Sequence, residues 1–333
     1  MLRNKYKNDK IPFFNLNDTQ IQAKKEVEDK INNGIYTFEA TRCPICNDEK
    51  HFETLAKKDR YGLEYNTVIC KKCGLLRTNP RMNQEAYNQF YDKEYRRLYT
   101  SSDTSSDIFF EEQYNHGQHI LNIIKEAGLV KDFTDQYIVE IGCGAGGILK
   151  AFRDNRAHIT GLDLGQSYLN YGIKKYNLSL YNSSIHNYQF DRSPDIIIYS
   201  HVLEHILDLD TEIKRIKEIS NENTIIYIEV PGLLNIHNTY KSEFLMYLQN
   251  AHTYHFSLES LKNLFSKYKY ETIYGEEYVR AIFRYNPNED VESFINLYPI
   301  HKKYLVQLKN RKEVLYNRIK NKFRNVIKHL IQK

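Results

Sequence analysis

The chain has 333 residues, of which 41% are hydrophobic and 27% are charged. This length accommodates one full α/β domain together with a smaller satellite. Residues 1–21 offer neither the apolar core nor the cleavage site of a signal peptide, and no later run reaches membrane-spanning length. The sequence therefore predicts a cytoplasmic protein, whose thiols stay reduced and whose paired cysteines bind metal more often than they form disulfides.

The formal net charge of +5 is unevenly distributed. Residues 301–333 contain eleven Lys or Arg and a single acid, Glu313, which leaves 36 basic and 41 acidic residues in the first 300. A near-neutral body of this kind argues against a surface built to bind nucleic acid. The tail is predicted to be an amphipathic basic helix, which would lie on an anionic membrane surface, dock an acidic partner, or simply close the domain or a dimer.

The predicted units follow one another in chain order. They are a polar, partly helical lead-in (1–40), a four-cysteine module (41–82), a helical linker or cap (83–132), an α/β domain (133–287) and a basic helical tail (288–333). In the α/β domain, strands are predicted at 137–141, 158–163, 195–200 and 224–230, and a helix at 203–219. Such alternation predicts a doubly wound parallel sheet that binds its ligands at the carboxyl ends of the strands.

Two Cys-x-x-Cys pairs, Cys43/Cys46 and Cys70/Cys73, flank a stretch of strand-like residues. This spacing is typical of zinc ribbons, in which four thiolates enclose Zn²⁺ and leave no open position for catalysis. A disulfide pair or a redox site is the alternative, but neither needs two such pairs in a reducing compartment. The module at 41–82 is therefore predicted to be a zinc ribbon with a structural role.

One glycine-rich segment follows a predicted strand and opens a helix, and it reads Glu140-Ile-Gly142-Cys143-Gly144-Ala-Gly146-Gly147. Glycines let a backbone turn sharply and approach a ligand, while the start of the helix presents free amide groups. The first, second and fourth of these glycines also satisfy the dinucleotide fingerprint, with Asp163 at a suitable distance to bind ribose hydroxyls. The segment could thus bind a dinucleotide or a cofactor with a cationic sulfonium. Glu140 favours the sulfonium, because an acid at this position repels a pyrophosphate but not a cation.

The glycine segment resembles motif I of class I S-adenosylmethionine-dependent methyltransferases. Residues 195–206, a strand followed by His-x-Leu-Glu-His, resemble the fourth-strand segment of the same family. The resemblance implies that the loop, in which Cys143 is a small filler, contacts the methionine part of the cofactor. It further implies that Asp163 binds both ribose hydroxyls and that Ser184 and Ile185 flank the adenine. The cofactor site implied in this way comprises Glu140, Gly142, Cys143, Gly144, Gly146, Asp163, Leu164, Ser184, Ile185, Ser200 and His201.

The four-cysteine module and its linker carry a second resemblance. Residues 70–81, followed by Tyr87, Phe90 and Tyr91, are similar to zinc-ribbon methyltransferases of bacterial glycan and deoxysugar pathways. The segment 251–258 resembles the His-x-x-x-Phe-Ser-Leu segment of sugar methyltransferases, which implies His252 as the first candidate general base and His255 as the second. Packing or capping of the following helix is the structural alternative for both histidines.

His205 is a third candidate catalytic residue, and packing beneath the sheet, satisfied by Glu204, is an equal alternative. Methyl transfer from a sulfonium is an in-line displacement, so the protein must align the donor and acceptor and take up the proton of a hydroxyl. Ala251 stands where the sugar C-methyltransferases carry an acid, which favours O-methylation over C-methylation.

The predicted function is O-methylation of a sugar, as a nucleotide-linked precursor or a glycan end, in surface polysaccharide biosynthesis. The predicted cofactors are S-adenosylmethionine and a structural Zn²⁺, and the predicted location is the cytoplasm or the inner face of the membrane. A deoxysugar C-methyltransferase, an RNA methyltransferase that grips RNA with its zinc module and tail, and a non-catalytic cofactor-binding scaffold are the alternatives. The acceptor atom and the oligomeric state do not follow from these residues.

Overall fold

The computed structural model describes residues 6–99, 107–288 and 294–308. The helices are α1 (Asp18–Asn32), α2 (Gln84–Phe90), α3 (Arg96–Tyr99), α4 (Asp107–Glu126), α5 (Gly147–Asp154), α6 (Gln166–Tyr176), α7 (Leu209–Ile219), α8 (Ile236–Thr239), α9 (Phe244–Tyr247), α10 (Leu258–Ser266) and α11 (298–308). The strands are β1 (Phe38–Glu39), β2 (Phe52–Lys58), β3 (Glu64–Cys70), β4 (Leu76–Thr78), β5 (Arg81–Met82), β6 (Tyr137–Ile141), β7 (His158–Asp163), β8 (Leu180–Asn182), β9 (Ile196–Ser200), β10 (Ile225–Glu229), β11 (Tyr254–His255), β12 (Tyr270–Glu276) and β13 (Arg280–Tyr285).

Seven strands form the central sheet in the order β12-β13-β10-β9-β6-β7-β8. All neighbours are parallel except β13, which is antiparallel to both β10 and β12. The strand order reverses at β6, which lies between β9 and β7, and open α/β sheets bind ligands at such a switch point. The predicted doubly wound α/β fold is confirmed, and β6 and β7 have the predicted bounds.

The inner strands read as nearly continuous apolar runs because both faces of the sheet are covered. In β9, Ile197 and Tyr199 pack into one core together with residues of α7 and α10, whereas Ile196 and Ile198 pack into another with residues of α4 and α5. Successive side chains of a strand point to opposite faces, so β9 contributes to both cores. These two cores hold the carboxyl ends of the strands in place.

The helix predicted at 203–219 is divided in two. Leu203–His205 form a single 3₁₀ turn, and α7 begins only at Leu209, where the side chain of Asp208 accepts a hydrogen bond from the amide of Thr211 at 3.0 Å. An Asp at the N-cap satisfies a free amide of the first helical turn and so fixes this start. The interruption leaves His205 in a turn after β9 rather than on the helix.

A second sheet has four antiparallel strands in the order β11-β4-β3-β2. Three of these strands come from the four-cysteine module, but β11 comes from the segment that precedes α10. Tyr254 pairs with Arg77 and His255 pairs with Leu76. The predicted acceptor segment is therefore joined to the module by main-chain pairing. The predicted boundary at residue 82 stays a prediction.

The polar lead-in contains α1, which packs against the rest of the protein. Asn17 caps this helix in a capping box with Gln20, and Ala23 and Val27 are buried against the aromatic residues Tyr36, Tyr61, Tyr87 and Phe90. None of the described helices is long and apolar enough to cross a membrane. Most of the predicted basic tail helix, residues 309–333, lies outside the described residues.

Candidate functional site

The glycine segment forms a tight loop between β6 and α5. Gly142, Gly144 and Gly146 have φ values of 71°, 55° and 79°, in the left-handed region that glycine adopts without strain. A Cβ at Gly142 would lie only 2.3 Å from Cγ2 of Val202, so the two motifs of the sequence meet here. Gly146 precedes the first residue of α5, whose free amides face this end of the sheet. The loop is a cradle into which a ligand can come close to the main chain.

Asp163 ends β7 beside this loop. One carboxylate oxygen accepts a hydrogen bond from the amide of Gly144 at 2.9 Å, and the other accepts one from the amide of Gly165 at 2.6 Å. A guanidinium nitrogen of Arg96 lies 3.8 Å from the carboxylate, and this guanidinium covers the ring of Tyr168 at 3.6 Å. Asp163 thus lies where a ribose-binding acid is expected, whereas Arg96 was not identified from the sequence.

Glu140 and Cys143 are both buried beneath the loop. Burial, followed by the charge of Asp163, raises the pKa of Glu140 well above its usual range, and Oε2 of Glu140 has no hydrogen-bond partner among the described residues. Burial likewise raises the pKa of the Cys143 thiol, which packs towards β7. Cys143 therefore contributes its main chain to the loop, and Glu140 contributes a buried carboxyl oxygen, Oε2, that no described residue pairs with.

The other predicted cofactor residues differ in their surroundings. Ser200 ends β9, next to β6, and His201 follows it with a positive φ of 56°. Ile185 is buried in the core, Ser184 is half-buried, and Leu164 is 74% exposed at the end of β7. These residues all follow the carboxyl ends of parallel strands, as the fold requires.

Two polar residues of α4 complete this end of the sheet and were missed by the sequence analysis. The side-chain amide of Gln113 donates to the carbonyl of Cys143 at 3.2 Å, and its oxygen accepts from the amide of Gly147 at 3.4 Å. One turn later, Nε2 of His116 lies 3.3 Å from the hydroxyl of Ser200. The sequence did contain a signal for this pair. Gln113 and His116 are three residues apart, which places both side chains on one face of the helix.

Glu229, at the end of β10, is a further acid that the sequence analysis did not single out. Burial alone would raise its pKa, but the hydrogen bond from His116 and the positive charges of His116, His201 and Arg280 outweigh it and lower the pKa to about 2. Its carboxylate lies 2.9 Å from Nε2 of His116 and accepts from Nε of Arg280 at 3.0 Å. A buried carboxylate thus lies next to Ser200.

Glu204, His205 and His252 form a compact cluster. One potential ligand atom from each lies within 4.8 Å of the others, and the two imidazole rings meet edge to face at 4.7 Å between centroids. Burial lowers the pKa of His205, and burial lowers that of His252 well below its usual range. Both imidazoles are therefore neutral at pH 7. A neutral imidazole can accept a proton or bind a metal ion.

Tyr91 supports His205 from the linker. Its hydroxyl lies 2.5 Å from Nδ1 of His205, which also lies 3.1 Å from the carbonyl oxygen of Ala251. Tyr91 begins a π-helical turn, Tyr91–Tyr95, that stacks the ring of Tyr95 on that of Tyr91 at 4.3 Å. Turns of this kind recur at functional sites. The sequence analysis used Tyr91 as part of a resemblance only and did not predict this contact.

His255 has different surroundings from His252. It lies in β11, is 1% exposed, and its Nε2 lies 2.9 Å from the hydroxyl of Tyr65. Burial lowers its pKa to about 3. Because its ring centroid is 6.2 Å from that of His252 and it pairs with the module's sheet, the geometry favours His252 as the residue of the acceptor site. The catalytic assignment of either histidine stays a prediction.

The four cysteines of the module converge. Their Sγ atoms all lie within 4.8 Å of one another, with 3.3 Å between Cys43 and Cys73 and 3.4 Å between Cys46 and Cys70. Cys46 is half-buried and the other three are buried, and all are free thiols. Four thiols that surround one point can hold a tetrahedral ion such as Zn²⁺.

Comparisons with known proteins support the assignment of the central domain. Residues 112–274 match the family model described as a methyltransferase domain. A protein of Papaver bracteatum named "Probable (S)-tetrahydroprotoberberine N-methyltransferase 2" is 26% identical over 112 residues, which are 31% of this chain and 31% of that protein. The chain thus matches about a third of the length of this curated relative.

Solved structures of methyltransferases are also similar to this chain. An S-adenosylmethionine-dependent methyltransferase from Clostridium acetobutylicum is 13% identical, with 60% of this chain and 99% of that chain covered and a TM-score of 0.41. An amino pentose methyltransferase from Micromonospora echinaspora, bound to S-adenosylmethionine, is 15% identical, with 35% of this chain and 50% of that chain covered and a TM-score of 0.30.

Proposed function

We propose that this chain, whose residues 112–274 match the family model of a methyltransferase domain, uses S-adenosylmethionine to methylate a hydroxyl of a sugar or a similar small polar acceptor. The observation that carries the cofactor assignment is the glycine loop after β6, with Asp163 within hydrogen-bonding distance of the Gly144 amide. The carboxylate of Asp163 could accept hydrogen bonds from the hydroxyls of a ribose bound there. The cationic methionine part would lie against the main chain of the loop and near Oε2 of Glu140, which has no hydrogen-bond partner among the described residues.

The acceptor is proposed to bind at the cluster of Glu204, His205 and His252. This cluster follows β9, at the same end of the sheet as the glycine loop, and His205 is partly open to solvent while its partners are buried. A neutral imidazole can act as the general base that accepts the proton of an acceptor hydroxyl as the methyl group is transferred. The similarity of residues 251–258 to sugar methyltransferases supports a sugar, nucleotide-linked or at a glycan end.

The module at 41–82 is proposed to bind a structural Zn²⁺ through Cys43, Cys46, Cys70 and Cys73. The convergence of four free thiols supports this proposal. A tetrathiolate site has no open position, so the ion would fold the module and leave catalysis to the central domain. Its sheet includes β11, which directly follows His252 and would hold that residue in place.

An amine acceptor is the second candidate. The match to a plant protein named as an N-methyltransferase supports it, and the same cluster would take up a proton from an ammonium group. An assay of methyl transfer to amine and to hydroxyl acceptors distinguishes these two candidates.

The first experiment is calorimetric titration of the zinc-loaded protein with S-adenosylmethionine and with NAD. We expect S-adenosylmethionine alone to bind, and Asp163→Ala to weaken it by about 10- to 100-fold, since lost charge-assisted hydrogen bonds are each worth about 1.5–3 kcal/mol. His158→Gln, at the opposite end of β7, is the matched control and should bind as the wild type does. Binding of NAD instead would overturn the proposed reaction class.

The second experiment measures methyl transfer to a panel of nucleotide sugars, amino sugars, simple amines and RNA. We expect turnover with a hydroxyl-bearing sugar, and we expect His252→Ala to lose most of the turnover while it retains cofactor affinity. His255→Ala should lose less, because His255 lies outside the cluster. Turnover on RNA, with a steep dependence on salt, would favour the RNA alternative and overturn the sugar assignment.

A further inference from the structure

The carboxylate of Glu204 is the least satisfied charged group of this region. Glu204 is 1% exposed, and neither of its oxygens accepts a hydrogen bond within the described part of the chain. The nearest cationic or imidazole nitrogens are Nε2 of His205 at 3.7 Å and Nδ1 of His201 at 3.8 Å, both beyond hydrogen-bonding distance. A buried carboxylate without partners is costly unless an ion or a ligand pairs with it.

His205 directs a nitrogen lone pair towards the same point. The carbonyl oxygen of Ala251, 3.1 Å from Nδ1, can only accept a hydrogen bond, whereas the hydroxyl of Tyr91, 2.5 Å from the same atom, can accept or donate, so both contacts are compatible with a proton on Nδ1. In that tautomer Nε2 has a free lone pair, and it lies 3.7 Å from Oε1 of Glu204. Metal-binding histidines have this arrangement, in which one nitrogen donates to a carbonyl group and the other binds the ion.

His252 supplies the third atom. It is 5% exposed, and its ring makes no hydrogen bond with any residue in the described ranges. One of its nitrogens lies within 4.8 Å of both the Glu204 oxygen and the His205 nitrogen. An ion bound tetrahedrally at about 2.1 Å separates its ligand atoms by about 3.4 Å, so a small movement of these side chains completes the site.

We infer that Glu204, His205 and His252 bind one divalent metal ion of the zinc class, separate from the ion of the four cysteines. One carboxylate and two neutral imidazoles form a typical ligand set for such an ion when a position is left open. The open position would face His205, which is 12% exposed, and it would take an oxygen of water or of the acceptor. With an ion bound, the lone pairs of both imidazoles are used as ligands, so the ion, in place of the imidazoles, would make a bound hydroxyl or water more acidic and its proton would pass to solvent. The inference rests on the proposed function only for this last role.

The experiment loads the full-length, metal-depleted protein with Co²⁺ and follows the absorption spectrum together with the metal content. Co²⁺ bound by four thiolates gives strong sulfur-to-metal charge-transfer bands, whereas Co²⁺ bound by nitrogen and oxygen gives only weak visible bands. We expect the wild type to take up two equivalents, of which one lacks charge-transfer bands. Glu204→Gln and His252→Gln should each lose only this second equivalent, and His158→Gln should retain both.

Uptake of a single equivalent by the wild type would overturn the inference. Retention of the second equivalent in both cluster variants would do the same. Circular dichroism and titration with S-adenosylmethionine are measured on each variant, so that a loss of fold or of the cofactor site is recognised separately. Normal cofactor binding with one metal ion would leave the proposed methyltransferase intact and reject only the second metal site.

Discussion

At the scale of single residues, the site combines two buried acids whose pKa values are shifted in opposite directions. Burial raises the pKa of Glu140, whereas cationic neighbours lower the pKa of Glu229. Because both groups are buried, their charge depends on what lies beside them rather than on bulk solvent. A cationic ligand next to Glu140 would change that balance, and the change can be measured.

We expect the binding of S-adenosylmethionine to release a proton at pH 7. Burial raises the pKa of Glu140 in the free protein, whereas a cation bound beside it favours the carboxylate and lowers that pKa, so cofactor binding should shift the group towards its ionised form. Calorimetry in two buffers with different ionisation enthalpies gives the number of protons released. Glu140→Gln should release none. Equal binding enthalpies in the two buffers for the wild type would contradict the expectation.

At the scale of elements, α4 and α5 approach each other closely at two glycines of the α/β domain. Gly117 on α4 has no room for a side chain, because a Cβ there would lie 2.7 Å from the carbonyl oxygen of Ile148 and 2.9 Å from the Cβ of Ala151. Gly147, the first residue of α5, is crowded in the same way by Gln113 and Phe110 of α4. This packing brings Gln113 to the glycine loop and His116 to Ser200.

Gly117→Ala should therefore destabilise the protein by about 1–3 kcal/mol, as overpacking does, although alanine is the better helix former. Asn115→Ala, on the exposed side of the same helix, is the matched control and should change the stability by less than about 0.5 kcal/mol. Urea unfolding of the two variants and the wild type provides the test. A stabilised Gly117→Ala variant would show that α4 does not pack as closely as described.

At the scale of the whole molecule, the four-cysteine module and the α/β domain are not independent. Strand β11 joins the module's sheet, and Tyr65 on β3 donates a hydrogen bond to the carbonyl oxygen of His252. The hydroxyl of Thr78 donates to the same oxygen at 3.1 Å. The module thus holds the main chain of the acceptor cluster. The glycine loop instead packs, through Cys143 and Ala145, into the core that contains residues of α4 and α5.

Loss of the proposed zinc should consequently reduce methyl transfer more than cofactor binding. We expect Cys46→Ser to lower the metal content, the melting temperature and the turnover, while the affinity for S-adenosylmethionine changes by less than about threefold, or 0.7 kcal/mol. Cys143→Ala, a change of the remaining cysteine outside the tetrad, should keep the metal content of the wild type. Cofactor affinity that falls in step with turnover in Cys46→Ser would contradict this division.

The sequence by itself determined the features that follow from local backbone rules. The glycine pattern requires positive φ at Gly142, Gly144 and Gly146, and the alternation of strands and helices requires a doubly wound sheet, so both could be predicted. The acid that ends β7 could be placed for a similar reason, because the carboxyl ends of parallel strands meet at one edge. The spacing of the two cysteine pairs likewise made their convergence predictable.

Only the tertiary structure decided which distant residues meet. The ring centroids of His205 and His252 lie 4.7 Å apart because β11 pairs with β4. A strand of only two residues, such as β11, leaves no periodic signal in the sequence. Gln113 reaches the glycine loop and His116 reaches Ser200 because α4 packs on α5 at two glycines, which depends on tertiary packing rather than on local preference. Side-chain contacts across separate elements are set by the folded core, and a single sequence records them only indirectly.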